Sequence, residues 1–395
     1  MHILIITSER YLPRENPLAG IFQHDQAHAL KRAGFKVGII APKSKSLLLL
    51  KKSINNLTTG IEFNNDRGIP VYRYQGWRWL PDRFSVPYVP AWINLKIGRK
   101  MFEKYINEQG VPDIVHAHNT LYAGIIALLI KKKYNIPYVL TEHSSLYLRN
   151  NVYKWQMPIV KNVLKSAAER LVVSRYLGEV LERQFGKVTC PWIYVPNILN
   201  EYFEKKIFPK KGLNTNSSIT FLNVASLVKV KNHEGLLNAF AYKFKGKDFI
   251  KLRIGGNGPL LKKLKGMTRE LGIENQVVFL GLLNRQQVFN EMHSCDYFVL
   301  SSYHETFGVV LIEALSCGTP VVATACGGPE GIIHEKNGIL VPPRNNVALA
   351  EAMVKIIKLN KFYDRELIRR DCINEFGEKA IVNNLKNIYQ RVLSN

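Results

Sequence analysis

Residues 301–328 read SSYHETFGVVLIEALSCGTPVVATACGG, and they follow an apolar, β-favouring run, Tyr297–Leu300. Apolar residues at helical spacing predict a helix over residues 306–316. A Gly-Thr-Pro sequence ends that helix, and Val321–Ala323 predicts the next buried strand. Strand, helix and strand at this spacing form a βαβ unit, in which ligands bind at the carboxyl ends of the strands.

Two carboxylates mark this unit, Glu305 just before the predicted helix and Glu313 within it. Eight residues of helix advance about 12 Å, whereas paired glycosidase carboxylates stand about 5 to 9.5 Å apart. The pair therefore suits a long ligand held at two places, with an anionic centre near the amides of Thr306, Phe307 and Gly308. The alternative is a helix-capping Glu305 and an exposed Glu313, and the pattern alone leaves it open.

The complete motif is more specific than the two glutamates. Glu-Thr-Phe-Gly, seven residues between the glutamates, then Ala-Leu-Ser-Cys-Gly-Thr-Pro-Val-Val-Ala-Thr and Gly-Gly-Pro-Glu closely resemble the retaining nucleotide-sugar glycosyltransferases of group 1, or family 4. The resemblance extends, more thinly, over nearly the whole chain. It implies the GT-B fold, an α/β architecture in which two Rossmann-like doubly wound domains face each other across a cleft.

The resemblance also implies roles for residues in the second half of the chain. Glu313 would hold the ribose of the donor, and Glu305 with the amides of residues 306–308 would hold the sugar hydroxyls. The family carries an arginine and a lysine, five positions apart, on the donor diphosphate. Lys231 matches the lysine, but Ser226 stands at the arginine position, which leaves one cation fewer. Lys229 could substitute, although a solvated lysine is the simpler interpretation.

Two further segments fit the donor side by resemblance. A strand over residues 252–254 enters the glycine-rich turn 255–259, where Gly256 and Asn257 would approach the nucleotide. By itself such a turn is a weak signal that could mark only a change of chain direction. The next strand, 277–281, precedes Leu282, against which the family places the base.

The first half of the chain opens with strand, helix and strand over residues 3–40 but lacks Gly-x-Gly-x-x-Gly, so it carries no dinucleotide fingerprint. Gly20 precedes the helix predicted over residues 21–32. Residues 1–205 are predicted to form the acceptor domain, 206–217 a linker and 218–375 the donor domain. By resemblance the last helix, 376–395, crosses back to the first domain. Gly20 would approach the donor phosphates, or it is an ordinary loop glycine.

Three histidines end two neighbouring strands of the predicted first sheet, a position that lies over the binding crevice of such sheets. By resemblance His118 approaches the donor sugar and the acceptor, and His143 is assigned to the acceptor. His116 is interpreted as structural. Because no cysteine or HExxH spacing accompanies the three histidines, we expect no metal site among them.

Residues 43–100 are predicted to be irregular, and they hold three of the five tryptophans. Trp77 and Arg78 stand among other aromatic and cationic residues, which suits a lipid interface or an anionic amphiphilic acceptor. A local core beneath a long loop is the alternative.

The chain has 395 residues, enough for two domains, and a net charge of +24. Residues 1–210 contribute +16 of this charge and the rest +8. No nucleic-acid-binding signature accompanies it. The excess charge is interpreted as attraction to an anionic membrane surface, and the alternative is that it only keeps a soluble enzyme dispersed. Five scattered cysteines fit a reducing compartment. With no signal segment or span in sight, we expect a cytoplasmic protein, peripheral at the inner face of the plasma membrane.

The expected reaction moves a sugar from a UDP- or GDP-linked donor to a hydroxyl of a lipid-linked or polysaccharide acceptor of the cell envelope, with retention of configuration. Glu305, His118 and Lys231 would be the catalytic residues. No Asp-x-Asp triplet occurs in the sequence, so neither a catalytic metal nor another cofactor is expected. The alternatives are a nucleotide-sugar epimerase of the same fold and a non-catalytic protein that binds anionic polymers.

Overall fold

The computed structural model describes residues 1–12, 19–43, 45–46, 59–78, 89–149, 151–186, 191–206 and 218–394. It divides into two compact units. Unit 1 comprises Met1–Val173, Leu177–Ile198 and the C-terminal segment from Ile381, and unit 2 comprises Ser174–Tyr176 and Leu199–Ala380. The second unit therefore begins at Leu199, where the sequence suggested a boundary after residue 205. Nearly all of the predicted linker lies outside the described residues.

Unit 1 is built around one sheet with helices between its strands. Its strands are β1 (His2–Thr7), β2 (Lys36–Ala41), β3 (Lys45–Ser46), β4 (Gly60–Asp66), β5 (Ile69–Gln75), β6 (Trp77–Arg78), β7 (Ile114–His118), β8 (Tyr138–Glu142), β9 (Glu169–Val172) and β10 (Trp192–Tyr194). Its helices are α1 (Ile21–Arg32), α2 (Val89–Gln109), α3 (Ile125–Tyr134), α4 (Met157–Ser166) and α5 (Arg175–Phe185), the last beginning in residues grouped with unit 2.

The main sheet of unit 1 has the strand order β10-β9-β8-β7-β1-β2-β5-β4, and β3 pairs separately with β6. All pairs in the main sheet are parallel except the β4–β5 hairpin. The prediction that residues 43–100 are irregular is therefore wrong, since they contain this hairpin and the start of α2. β4 is a mostly exposed edge strand of polar sequence, so it has no apolar alternation, and only its pairing with β5 specifies it.

Unit 2 is a second parallel sheet with helices between its strands. The strands are β11 (Ile219–Val224), β12 (Ile250–Gly255), β13 (Val277–Gly281), β14 (Tyr297–Leu300), β15 (Val321–Thr324) and β16 (Gly338–Val341). The helices are α6 (Glu201–Lys205), α7 (His233–Phe244), α8 (Leu261–Glu270), α9 (Arg285–Ser294), α10 (Val309–Ser316), α11 (Asn346–Lys358) and α12 (Arg365–Phe376).

The strand order of unit 2 is β13-β12-β11-β14-β15-β16. Counted along the chain, this is the 3-2-1-4-5-6 order of a doubly wound nucleotide-binding sheet. In such a sheet the order reverses between the first and fourth strands, here β11 and β14, and the crevice at that reversal is where ligands bind.

The last helix, α13 (Glu378–Ser394), begins in unit 2, and from Ile381 onward it belongs to unit 1. Its apolar face lies in the same hydrophobic cluster as β1, because Ile381, Leu385 and Tyr389 are all buried there. All six residues of β1 are buried as well. Among the described residues, no helix is both long enough and apolar enough to cross a membrane.

Candidate functional site

Four loops of unit 2 follow neighbouring parallel strands, so they emerge side by side at the carboxyl edge of the sheet. In spatial order they follow β13, β12, β11 and β14. They carry, respectively, Leu282, the turn of Gly256 and Asn257, the segment from Ser226 to Lys231, and Glu305. The strand order thus brings together donor-side residues that are up to about eighty positions apart in the chain.

The loop that carries Glu305 is held by the glycines that follow β15. The Glu305 amide donates to the Cys326 carbonyl at 3.1 Å, and the Gly328 amide donates to the Glu305 carbonyl at 2.8 Å. A Cβ on Gly328 would lie 2.3 Å from the Phe307 carbonyl oxygen. Only glycine permits so close an approach, so the Gly-Gly pair of the motif fixes the backbone of the loop.

Helix α10 begins at Val309, three residues later than predicted. Gly308 has φ +98°, outside the helical region, and it ends the loop. Thr306 and Phe307 therefore lie in the loop, and the first amides of the helix belong to Val309 and Val310. The separation of about 12 Å estimated for the two glutamates no longer applies, because Glu305 is not on the helix.

Two side chains of the motif have clear positions. Phe307 is buried, and its ring packs edge-on against Phe376 at 5.9 Å, so only its backbone is available to a ligand. Glu313 is half-buried on α10. Its role at a ribose stays a prediction.

Lys231 ends a short 3-10 turn, Lys229–Lys231, after β11. The Ser301 hydroxyl donates to the Lys231 carbonyl at 3.0 Å, and the Tyr303 amide donates to the Val230 carbonyl at 2.8 Å. The loop after β14 is thus attached to the backbone of the loop after β11 by one side-chain and one backbone hydrogen bond.

The central contact of the site joins the two predicted catalytic residues of unit 2. Lys231 Nζ donates to Glu305 Oε1 at 2.5 Å, and the Ser302 hydroxyl donates to the same oxygen at 2.7 Å. The side chains are 25% and 11% exposed, respectively. A cation and a carboxylate held together at a strand-order reversal can bind the anionic and hydroxyl groups of one ligand.

Sequence reasoning missed two residues that organise this contact. Ser302 holds the Glu305 carboxylate, and Asn232 turns the chain with φ +50° while its side chain accepts from the Gly235 amide at 3.1 Å. An asparagine just before an apolar helical run is a known capping signal and could have been recognised. The contact of Ser302 could not, because it depends on the path of the loop.

His233 is a third residue that the sequence did not single out. It is fully buried beside this turn, and neither ring nitrogen has a hydrogen-bond partner among the described residues. Burial, with a smaller effect of the Lys231 charge, lowers the pKa of His233 to about 4. The imidazole is therefore neutral near pH 7 and adds no charge beside Lys231.

The glycine-rich turn after β12 packs against the loop after β11. A Cβ on Gly256 would lie 2.0 Å from the Ala225 carbonyl oxygen, and the Leu227 amide donates to the Asn257 carbonyl at 3.0 Å. Close backbone packing thus explains the glycine without a ligand. Ser226 and Asn257 are exposed on these loops, and Leu282 is 62% exposed. Their contact with a donor remains a prediction.

His118, a predicted residue of unit 1, lies at the equivalent reversal of that unit's own sheet, between β1 and β7. His118 ends β7 and is fully buried. Its Nδ1 lies 2.9 Å from His143 Nε2, and its Nε2 has no hydrogen-bond partner among the described residues. Because His118 has no exposed surface, a ligand can touch it only if neighbouring groups move.

The neighbours of His118 complete a stack of rings. His116 stacks on His118 at 4.5 Å and lies 2.6 Å from the Tyr389 hydroxyl. On the other side, His143 packs on Phe22 at 4.7 Å. Burial lowers the pKa of His116 and of His143 to about 3, and it lowers the pKa of His118 strongly as well. All three imidazoles are neutral near pH 7, so they can exchange hydrogen bonds but carry no charge.

The remaining predicted residues of unit 1 are less informative. Gly20 is buried at the start of α1, which does not favour direct contact with a phosphate. Trp77 and Arg78 form strand β6 beside β3, and their side chains lie outside the described residues.

Comparison with known proteins matches each unit to a family. Residues 204–370 match the model of glycosyl transferases group 1, and residues 19–200 match that of glycosyltransferase family 4. The chain is 28% identical, over 90% of its length and 89% of the relative's, to TuaC of Bacillus subtilis, a glycosyltransferase assigned to teichuronic acid biosynthesis. It is 25% identical, over 78% of its length and 74% of the relative's, to the alpha-monoglucosyldiacylglycerol synthase of Streptococcus pneumoniae.

Among solved structures, HepE of Anabaena in complex with UDP is similar in fold. The TM-score is 0.75 at 18% identity, over 99% of this chain and all of HepE. The two parallel-sheet α/β units therefore have the GT-B fold.

Proposed function

Because the chain belongs to the group 1 glycosyltransferases and has their GT-B fold, we propose that it transfers a sugar from a nucleotide-diphosphate donor to a hydroxyl group with retention of configuration. The observation that carries this proposal is the contact between Lys231 and Glu305 at the strand-order reversal of unit 2. HepE was solved with UDP, which favours a UDP-linked donor, and a GDP-linked donor is the alternative.

When the donor binds, Lys231 exchanges Glu305 for the diphosphate as its partner. In the structure the Lys231 ammonium group is paired with Glu305. A diphosphate offers it more negative charge, and release of Lys231 leaves Glu305 an acceptor for sugar hydroxyls while Ser302 still holds its carboxylate. The first amides of α10 add the partial positive charge of a helix N-terminus. Glu313, on the same helix, would hold the ribose.

The reaction we propose proceeds on one face of the sugar. The bond between the anomeric carbon and the diphosphate oxygen breaks, and the acceptor oxygen attacks from the side that the diphosphate leaves. The acceptor proton passes to the departing diphosphate oxygen, so charge and atoms balance without a covalent enzyme intermediate. Lys231 stabilises the charge that develops on the diphosphate, which is the role we assign to it in place of a metal ion.

We assign the acceptor to unit 1 and to the cell envelope, as a polysaccharide or glycolipid. The names of the two relatives, in teichuronic acid and glucosyldiacylglycerol synthesis, support that class. Unit 1 also presents apolar and cationic groups together at the start of α2. Trp92 and Ile93 are 55% and 44% exposed, and Lys96 Nζ lies 3.7 Å from the Trp92 ring centroid. Such a group suits a peripheral position on an anionic membrane.

Incubation with UDP- and GDP-sugars tests the proposal. We expect release of nucleoside diphosphate that depends on an added envelope lipid or polysaccharide fragment, and an α-linked product from an α-linked donor by NMR. Conversion of the donor sugar into its epimer, without any acceptor, would instead establish the epimerase alternative. An inverted product would refute the retaining mechanism alone.

A further inference from the structure

Three side chains of metal-ligating types meet in unit 1, and none of them is assigned to the donor or the acceptor. His24 and His28 stand one turn apart on α1, so they project from the same face of the helix. Asp66 is the last residue of β4, at the tip of the β4–β5 hairpin. Asp66 Oδ2 lies 3.4 Å from His24 Nε2 and 3.4 Å from His28 Nε2.

These distances are long for hydrogen bonds, and they also match the spacing of ligands around a metal ion; the Tyr11 hydroxyl lies 3.5 Å from the same oxygen of Asp66. At 3.4 Å the contacts are longer than the usual 2.7 to 3.2 Å of an N–H···O bond, and two imidazoles converge on one carboxylate oxygen. Zinc bonds of about 2.0 to 2.1 Å in tetrahedral geometry place neighbouring ligand atoms about 3.3 to 3.4 Å apart. The candidate ligand atoms of the three residues all lie within 4.8 Å of one another, so small side-chain rotations bring each within reach of one ion.

Asp25 orients the ring of His24, and the exposed surface of the three residues leaves room for a water ligand. Asp25 Oδ1 lies 3.1 Å from His24 Nδ1, the carboxylate–histidine arrangement that directs the lone pair of the other ring nitrogen towards a metal. Asp25 itself is buried. The three candidate ligands are 15%, 9% and 18% exposed for His24, His28 and Asp66, which leaves access for an ion and for a water molecule.

We propose that His24, His28 and Asp66 bind one divalent transition-metal ion, zinc by preference, with water as the fourth ligand. Two imidazoles and one carboxylate form a zinc donor set, whereas Mg²⁺ prefers oxygen ligands in octahedral geometry. The ion joins α1 to the β4–β5 hairpin. Since Phe22 on the same helix packs on His143, the ion also stabilises the end of α1 beside the histidine stack. The ion has no part in the chemistry proposed at Lys231.

Zinc titration of the untagged, full-length protein, first stripped with chelator and dialysed, tests this site. With a competing zinc dye we expect one equivalent to bind, unaffected by millimolar Mg²⁺. At 100 times the dissociation constant, the unfolding midpoint should rise by about 5 °C. Cobalt bound in place of zinc should give the strong visible absorption of a tetrahedral site.

His28→Ala should weaken zinc affinity at least about 100-fold and abolish the rise in the unfolding midpoint. His334→Ala is the matched control, because His334 is an exposed histidine of unit 2, and it should bind zinc as the wild type does. Asp25→Asn keeps all three ligands and tests the site if His28→Ala fails to fold. It should weaken affinity about 10- to 100-fold. The proposal would be overturned if the wild type failed to bind one equivalent of zinc. It would also be overturned if His28→Ala or Asp25→Asn bound zinc with wild-type affinity.

Discussion

Replacement of Lys231 by alanine is the most direct test of the proposed donor site. The change removes the cation that pairs with Glu305 at 2.5 Å and that we assign to the donor diphosphate. We expect the catalytic constant to fall more than the donor affinity, because the role of Lys231 grows as the diphosphate departs.

The size of each effect follows from the contact between Lys231 and Glu305. A hydrogen bond between charged groups contributes about 1.5 to 3 kcal/mol. The wild type must first separate Lys231 from Glu305, and a pair that is 25% and 11% exposed is worth about 1 kcal/mol. Net donor affinity should therefore fall only about 2- to 30-fold. Loss of a group that stabilises a developing anion costs about 100- to 1,000-fold in kcat.

The assay measures nucleoside diphosphate release at saturating acceptor, and calorimetry measures donor affinity. Lys336→Ala is the control, since Lys336 is an exposed lysine of unit 2 to which no donor contact is assigned, and it should retain wild-type turnover. The unfolding midpoint of Lys231→Ala should change by no more than about 4 °C. A kcat/KM within threefold of wild type, in a folded Lys231→Ala protein, would refute the assigned role.

The remaining predictions concern the ribose, metals, the membrane and pH. Glu313→Ala should weaken donor binding by about 1.5 to 3 kcal/mol in calorimetry, while the exposed Glu335→Ala should not; unchanged donor affinity in Glu313→Ala would contradict its role at the ribose. Turnover at 25 °C should survive excess EDTA, and a loss that Mg²⁺ or Mn²⁺ restores would show that a metal stabilises the leaving group. Sedimentation with vesicles should require anionic lipid, weaken with salt because the Debye length falls to about 3 Å at 1 M, and decrease in the double variant Trp92→Ala, Lys96→Ala. Equal recovery with neutral and anionic vesicles would contradict a peripheral membrane position. Burial lowers the pKa of His143 to about 3, below its value of about 6.5 in the unfolded chain. As the pH falls, His143 is therefore protonated in the unfolded state before it is protonated in the folded state. The stability that is present above pH 6.5 is lost as the pH falls towards 3. Below pH 6 the wild type should therefore lose up to about 1.4 kcal/mol per pH unit more than His143→Asn in urea unfolding, and equal slopes would show that His143 is protonated in the native state.

Local pattern predicted the central strands and most helices but missed the β4–β5 hairpin. Unbroken apolar runs identified the central strands such as β1 and β14, and Gly-rich or Pro-containing turns located the loops that follow them. The motif around Glu305 identified the family, and the resemblance suggested Lys231 and Glu313 as donor-binding residues. These features could be predicted because backbone preference and burial on both faces leave their mark on consecutive residues.

What depended on contacts between distant segments could not be predicted from that pattern. Sequence alone established a glycosyltransferase motif, two α/β halves and a lysine 74 positions before the glutamate that it meets. Only the tertiary structure decided that β11 and β14 are neighbours, which brings Lys231 to Glu305, and that His118 is enclosed. It also brought Asp66 to two histidines of α1. Strand order and packing determine such contacts between distant residues. These contacts arise because whole faces of helices and sheets are buried against one another, and not from the preferences of adjacent residues.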